Sequence, residues 1–243
     1  MVMTVVIIAL CFSVVAGSVT VWMQLKPYWG KKTQGSTPVS SQEDGTEGAL
    51  PTYDDSFNLM LVNSTNKLSD DYKPELESFN GVQVDSRILA ALKNMFEDAE
   101  TAGSPLTLKG GYVDATKQNE LFEAYTDSLM KNKGLSEVKA ESLAQSTVGK
   151  GGYNENQTGL AVTISAANVK SESSFSSTEQ YNWLIKNCIK YGFILRYPED
   201  KTTSTGMEYN PCHFRYVGTD NAVQMRKYSM CLEEYVSYIS EQS

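Results

Sequence analysis

The sequence predicts an α+β domain. Apolar residues recur at helical spacing in several segments, and short β-branched and aromatic runs lie between them. Helices and strands also follow one another irregularly, without the βαβ alternation of a parallel sheet and without any internal repeat.

The chain opens on a segment unlike the rest. Met1 to Leu25 carries no charged side chain, and Val2 to Met23 is almost wholly apolar, close to the ~20 residues that a membrane-spanning helix requires. Residues 1–25 are therefore read as a transmembrane anchor, an assignment that Trp22, Tyr28 and Trp29 near the end of the apolar run favour. The alternative is a cleaved signal segment, with Val14-Val15-Ala16-Gly17 as a small-residue cleavage site. Lys26, Lys31 and Lys32 follow the segment, and by the positive-inside rule they would hold the domain in the cytoplasm. Residues 26–56 are rich in Ser, Thr, Gly, Pro and acids and read as a flexible stalk, because such a stretch buries too little surface to offset its ordering entropy. The folded domain is assigned to residues 57–243.

Within it, Asp85 caps a helix that carries Ile88, Leu92, Met95, Ala99 and Ala102, ended by Gly103 and Pro105. A second helix starts near Thr116, with Leu121, Phe122, Tyr125 and Leu129 on one face and Gly134 past its end. A third covers Glu137 to Gln145. Thr178 caps a fourth with Tyr181, Leu184, Ile185 and Cys188 on its apolar face, and the last carries Leu232, Tyr235, Val236 and Ile239. The strand-like runs are Leu106–Leu108, Leu160–Ile164, Phe193–Tyr197 and His213–Val217.

The formal charge is −8, with no Lys- or Arg-rich block. A phosphate backbone would find little counter-charge, which excludes nucleic acid as a partner. Cys11 falls in the apolar segment, leaving Cys188, Cys212 and Cys231 in the domain, an odd number that cannot pair completely. They read as small core residues, with a single disulfide as the alternative. The chain has one histidine, His213.

Several segments in order then carry a resemblance. Leu61-Val62-Asn63 and Leu68 to Pro74 come first, then Gly110-Gly111-Tyr112 with Gln118, Leu121 and Phe122, and Glu155 with Gln157 to Val162. Trp183-Leu184, Tyr191 to Pro198, Thr205-Gly206, His213 to Gly218 and Leu232 to Tyr235 complete the set. From Leu61 to Tyr235 the chain resembles the zinc D-alanyl-D-alanine carboxypeptidases of the vancomycin-resistance type, within the lysostaphin and hedgehog superfamily. The resemblance implies a small antiparallel sheet with helices packed around it, and a function in trimming peptidoglycan stem peptides.

It also implies a set of site residues, and most of them are changed. The resemblance puts a zinc-binding His at Asn156, a zinc-binding Asp at Thr163 and the third ligand at His213, which is present. It puts the general base, a Glu, at Asn210. An Arg that clamps the substrate carboxylate would stand at Val113, and a Ser at Asp114. A catalytic zinc takes three protein ligands drawn from imidazole, thiolate and carboxylate, and neither an amide nor a hydroxyl is among them. Removing two ligands forfeits something like half of the roughly 10–16 kcal/mol of a structural zinc site, and removing the base costs on the order of 10²–10⁴ in rate. Cys212 does not rebuild the site, since adjacent residues on a strand point to opposite faces. No zinc or other cofactor is expected.

Tyr112, Gln118, Tyr153 and Arg215 are the candidates for ligand contact. Arg196 and Arg215 can equally be structural ion-pair partners, and His213 a buried histidine held by a hydrogen bond. The resulting expectation is a membrane-anchored, catalytically inactive carboxypeptidase-like protein at the cell envelope, its domain outside the cytoplasm, binding stem peptides or an envelope protein. The competing readings are an active carboxypeptidase and, from Lys26, Lys31 and Lys32 alone, an intracellular scaffold.

Overall fold

The computed structural model describes residues 57–242; the expected anchor and stalk lie outside them. The two best-formed strands of the sequence, β4 (Ala161–Ser165) and β5 (Phe193–Tyr197), belong to a four-stranded antiparallel sheet with β3 (Thr107–Gly110) and β6 (Asn210–Tyr216), in the order β3-β4-β6-β5. A separate hairpin, β1 (Leu76–Phe79) with β2 (Val82–Asp85), precedes the sheet. The helices are α1 (Leu89–Thr101), α2 (Ala115–Lys133), α3 (Glu137–Thr147), α4 (Glu172–Phe175), α5 (Glu179–Asn187), α6 (Thr202–Thr205), α7 (Thr219–Lys227) and α8 (Leu232–Gln242). The α+β class and the antiparallel sheet are as expected. Among the described residues, no helix is long and apolar enough to cross a membrane.

Alternation along the strands separates two faces. Val162 and Ile164 of β4, Phe193 of β5, and Cys212 and Phe214 of β6 enter the main core, where Ile88, Leu92, Met95 and Leu184 meet them. Thr163, His213 and Arg215 stand between those positions and so point to the other face. A second apolar cluster forms on that other side, where Ile194 packs with Val217, Ala222, Met225, Leu232 and Tyr235.

The helix boundaries follow local chemistry. Asp85 accepts a hydrogen bond from the Arg87 N–H and opens the turn Ser86–Ile88 that leads into α1. Asp114 accepts from the Lys117 N–H at the start of α2, and Gly134, in the left-handed region, closes that helix. Thr178 caps α5 as expected, accepting from the Tyr181 N–H.

Some expectations are corrected. The inward face of α2 is Gln118, Phe122, Thr126 and Leu129, so Leu121 lies outside it at 43% exposure. Ala102 lies past the end of α1 and is exposed, and α3 runs two residues beyond Gln145 to Thr147. Cys188 begins a separate 3-10 turn after α5. β6 starts at Asn210, three residues before His213, because Asn210 pairs with Tyr197 beyond a register shift in which β6 carries the extra residues. The hairpin and α7 were not anticipated. Asn80 and Gly81 between β1 and β2 both have positive φ, 50° and 80°, the Asn-Gly signature of a tight hairpin turn.

Gly159 ties the hairpin to the sheet. Its φ is +72°, its carbonyl accepts the Asp85 N–H at 2.9 Å, and a Cβ there would lie 2.9 Å from that same nitrogen. Gly159→Ala combines left-handed strain with a backbone clash, and we expect it to destabilise the domain by about 1–3 kcal/mol, measured as a lowered midpoint in urea unfolding.

Candidate functional site

The site is built on the face of the sheet opposite the main core. Thr163 on β4 and His213 on β6 are directly opposed in the antiparallel register, which brings their side chains together on one face. Gly110 of β3 is the partner of Thr163 on its other side, and a Cβ at Gly110 would lie 3.3 Å from Thr163 Oγ1. The turn that leads into β4, Glu155–Thr158, is a single 3-10 turn begun by Asn154, whose side chain accepts from the Asn156 N–H. That turn places Glu155 beneath the sheet face and Asn156 beside it. The Asn156 carbonyl accepts the Val113 N–H at 3.3 Å, so the Gly111-Tyr112-Val113 segment lies beside this turn.

Glu155 is completely buried and is the centre of the arrangement. Its Oε2 accepts from Arg196 Nε at 2.8 Å and from Arg215 Nη1 at 3.1 Å, while Oε1 lies 3.1 Å from His213 Nε2. Arg196 turns its remaining nitrogens to Glu233, at 2.8 and 2.6 Å. Burial alone would raise the Glu155 carboxyl, but the Arg196 charge, the His213 hydrogen bond and the Arg215 charge hold it well below the usual carboxylate range. An ionised carboxylate only accepts hydrogen bonds, so His213 Nε2 is the donor in this contact and Nδ1 is left as the free ring position. The Tyr197 ring packs against the imidazole with centroids 4.9 Å apart.

The positions that the resemblance singled out come together here. Thr163 and His213 are paired across β4 and β6, Asn156 lies in the turn that leads into β4, and Asn210 opens the His213 strand. Asn210 Oδ1 folds back to accept the Cys212 N–H at 2.8 Å. Cys212 points to the opposite face and packs in the main core, where burial pushes its thiol up to about 12. Cys188 and Cys231 are also free and buried, and burial pushes each up to about 11. Asp114 is exposed and serves as the α2 cap.

The expected ligand contacts fare unequally. Arg215 is fully buried and its donors are committed to Glu155, Tyr216 O, Asn58 O and Met60 O. It is a structural residue in this geometry, not a ligand contact. Gln118 is inside, not on the helix surface, and its Nε2 donates to Val148 O and Gly149 O at 2.9 Å each. Tyr112 lines a cavity of about 270 Å³ together with Leu68, Tyr72, Gly152 and Gln157. Tyr153 is half-buried on the neighbouring loop. Glu155 is the residue whose role went unread. Its signal was the charged pair Arg196 and Arg215 inside otherwise apolar strand runs, which demands a buried partner.

A four-stranded antiparallel sheet in which a histidine strand lies beside a glycine-turned strand agrees with the carboxypeptidase-like domain that the sequence resembles. Residues 81–219 match the family described as VanY, D-alanyl-D-alanine carboxypeptidase. The chain is 35% identical over 220 residues to a D-alanyl-D-alanine carboxypeptidase of Enterococcus faecalis strain ATCC 700802 / V583, covering 88% of this chain and 80% of that protein. Among solved structures it is similar to the vancomycin-resistance D,D-pentapeptidase VanY in complex with Zn(II), at 37% identity and a TM-score of 0.68 over 74% of this chain and 99% of that one. VanYB in complex with D-alanine-D-alanine aligns with a TM-score of 0.69 at 37% identity, over 74% and 98% of the two chains. The LD-carboxypeptidase LdcB aligns at 32% identity with a TM-score of 0.63, over 76% and 88%. This chain belongs to the VanY D-alanyl-D-alanine carboxypeptidase family.

The residues in the cleft do not fit the zinc of such relatives. They offer one imidazole nitrogen, an amide and a hydroxyl, and the neighbouring thiol points away. Among the described residues, no group of three or more His, Cys, Asp or Glu side chains is placed to hold a metal ion. His213 is held by a buried carboxylate, Glu155, which fixes the orientation of its ring.

The buried cluster has a measurable signature. Replacing Glu155 by Gln leaves two buried guanidiniums short of a counter-charge, and we expect a loss of about 3–5 kcal/mol at pH 7. Because the folded-state carboxyl is depressed, its contribution is present above the unfolded value near pH ~4.3 and is lost as pH falls toward the folded value. Chemical denaturation at a series of pH values should therefore show the gap between wild type and Glu155→Gln widest at neutral pH and narrowing from about pH 5 downward.

Proposed function

We propose that this chain is a non-hydrolysing member of its family, held at the cell envelope by residues 1–25 and binding peptidoglycan stem peptides in the His213 cleft without cleaving them. The observation that carries the reading is the donor set. Asn156, Thr163 and Asn210 stand around His213 where the family resemblance calls for two metal ligands and a general base. Each change removes a different requirement of a zinc peptidase: Asn156 and Thr163 take away ligands, and Asn210 cannot accept a proton from water. Val113 supplies no charge to grip a terminal carboxylate.

The stem-peptide part of the reading is supported by the relatives, one of which is described in complex with D-alanine-D-alanine, and another as revealing peptidoglycan recognition. The envelope part is supported by the apolar run Val2 to Met23. Lys26, Lys31 and Lys32 oppose it, and a topology reporter fused after Ser243 decides between the two orientations.

Two measurements test the catalytic part. Elemental analysis of the purified chain should find far less than one zinc per molecule, and a pentapeptide ending in D-alanyl-D-alanine should release no D-alanine with or without added zinc. One tightly bound zinc per chain, or release above the blank, would establish the active carboxypeptidase instead. The triple variant Asn156→His, Thr163→Asp, Asn210→Glu should bring zinc content toward one per chain, since Glu155 already orients His213 from behind.

A further inference from the structure

A cavity of about 450 Å³ lies beside β5, the outer strand of the four-stranded sheet, and none of its lining residues belongs to the set around His213. Ile185, Ile189, Ile194, Leu195, Met225 and Met230 line it, and its volume and apolar character fall within the range of small-ligand sites, about 300–1,000 Å³. Two of the six are methionines, whose flexible thioethers adapt to the shape of what enters. Cys231 also lines it, and burial pushes that thiol up to about 11, so it adds no charge at neutral pH.

The charged residues in the lining are Asp200, Lys201 and Arg226. Lys201 is matched by Glu234 at 2.9 Å, and Asp200 is exposed to water. Arg226 is exposed as well, and its guanidinium donates to Lys186 O at 3.1 Å, to Ile185 O and to Cys188 Sγ at 3.6 Å. All three partners are neutral, so these contacts hold the side chain at the cavity without cancelling its charge. Lys186 and Lys190 follow the lining residues Ile185 and Ile189, Lys227 follows Arg226, and neither 185–195 nor 222–231 contains a carboxylate. On a chain of net charge −8 this is a local excess of positive charge. A guanidinium presents its donors in a fork that matches a carboxylate.

We propose that this cavity binds a small carboxylate with an apolar chain, the chain lying among the isoleucines, Leu195 and the methionines and the carboxylate meeting Arg226. Burial of the chain supplies most of the affinity, because an exposed ion pair alone contributes little. The cation decides the sign of the head group. A single-chain solute fits better than a bilayer surface, since the apolar side chains line a recess instead of projecting from the domain. The site stands apart from the stem-peptide reading and does not depend on it.

The test places a polarity-sensitive acrylodan label at the cavity, on the full-length protein with Cys11→Ser and Ser229→Cys. Ser229 is exposed and lines the cavity, whereas Cys188, Cys212 and Cys231 are buried. Octanoate should displace the label into water, seen as a saturable red shift, at a concentration about ten-fold below that of octylammonium, and acetate should leave the emission unchanged. Arg226→Gln should bring octanoate and octylammonium to within roughly two-fold of each other, and Ile189→Trp, which fills the cavity, should abolish the response to both. The same label on Val138→Cys, a position 77% exposed on α3, should not respond. Equal half-saturation by the two amphiphiles in the labelled protein overturns the assignment of the head group. An absent response, an equal response at position 138, or a shift with phosphatidylglycerol vesicles but not with octanoate overturns the site.

Discussion

The carboxylate of Glu155 is the interaction on which the rest of this face depends. It comes from the turn before β4 and is buried with two guanidiniums and an imidazole around it, which strands β5 and β6 supply. Arg196 extends the cluster to Glu233 on α8, and Arg215 extends it to the carbonyls of Asn58 and Met60 at the start of the described chain. Glu155 and its two arginines therefore connect residues 58 and 60, the central strands and, through Glu233, the last helix. Such a cluster is tolerated only when every member is matched, because an unpaired charge at this depth costs several kcal/mol.

This arrangement separates what holds the fold from what would perform chemistry. The charged cluster shares the sheet face opposite the main core with Thr163 but is buried, while Asn156, Thr163 and Asn210 are partly exposed. Those three positions can change from ligand or base to amide or hydroxyl without disturbing the cluster or the core on the opposite face. His213 belongs to both layers. Its Nε2 is a member of the buried cluster, which gives it a structural reason to stay whatever its other nitrogen does.

Much of this was legible in the residues. The periodicity of Ile88, Leu92, Met95 and Ala99 and the caps Asp85 and Thr178 announced their helices, and the β-branched and aromatic runs announced β4 and β5. The pairing of Thr163 with His213 agrees with the strand runs in which the two residues were read. Other features depend on pairing across distance. Gln118 looks like a helix-surface residue until Val148 and Gly149 fold over it, and Arg215 looks available until Asn58, Met60 and Glu155 are found to share its donors. The β1–β2 hairpin was missed for a local reason, since its strands are four residues each and mostly polar, leaving only the Asn80-Gly81 turn to mark it.

The cap of α2 shows how freely such a cleft can be rewritten. Asp114 closes the first turn of that helix through the Lys117 N–H, a duty that a serine performs about as well. The helix registers only an oxygen at the right distance, whereas an incoming ligand also registers its charge. A single substitution there can therefore change the charge presented beside Val113 while the helix start is left undisturbed.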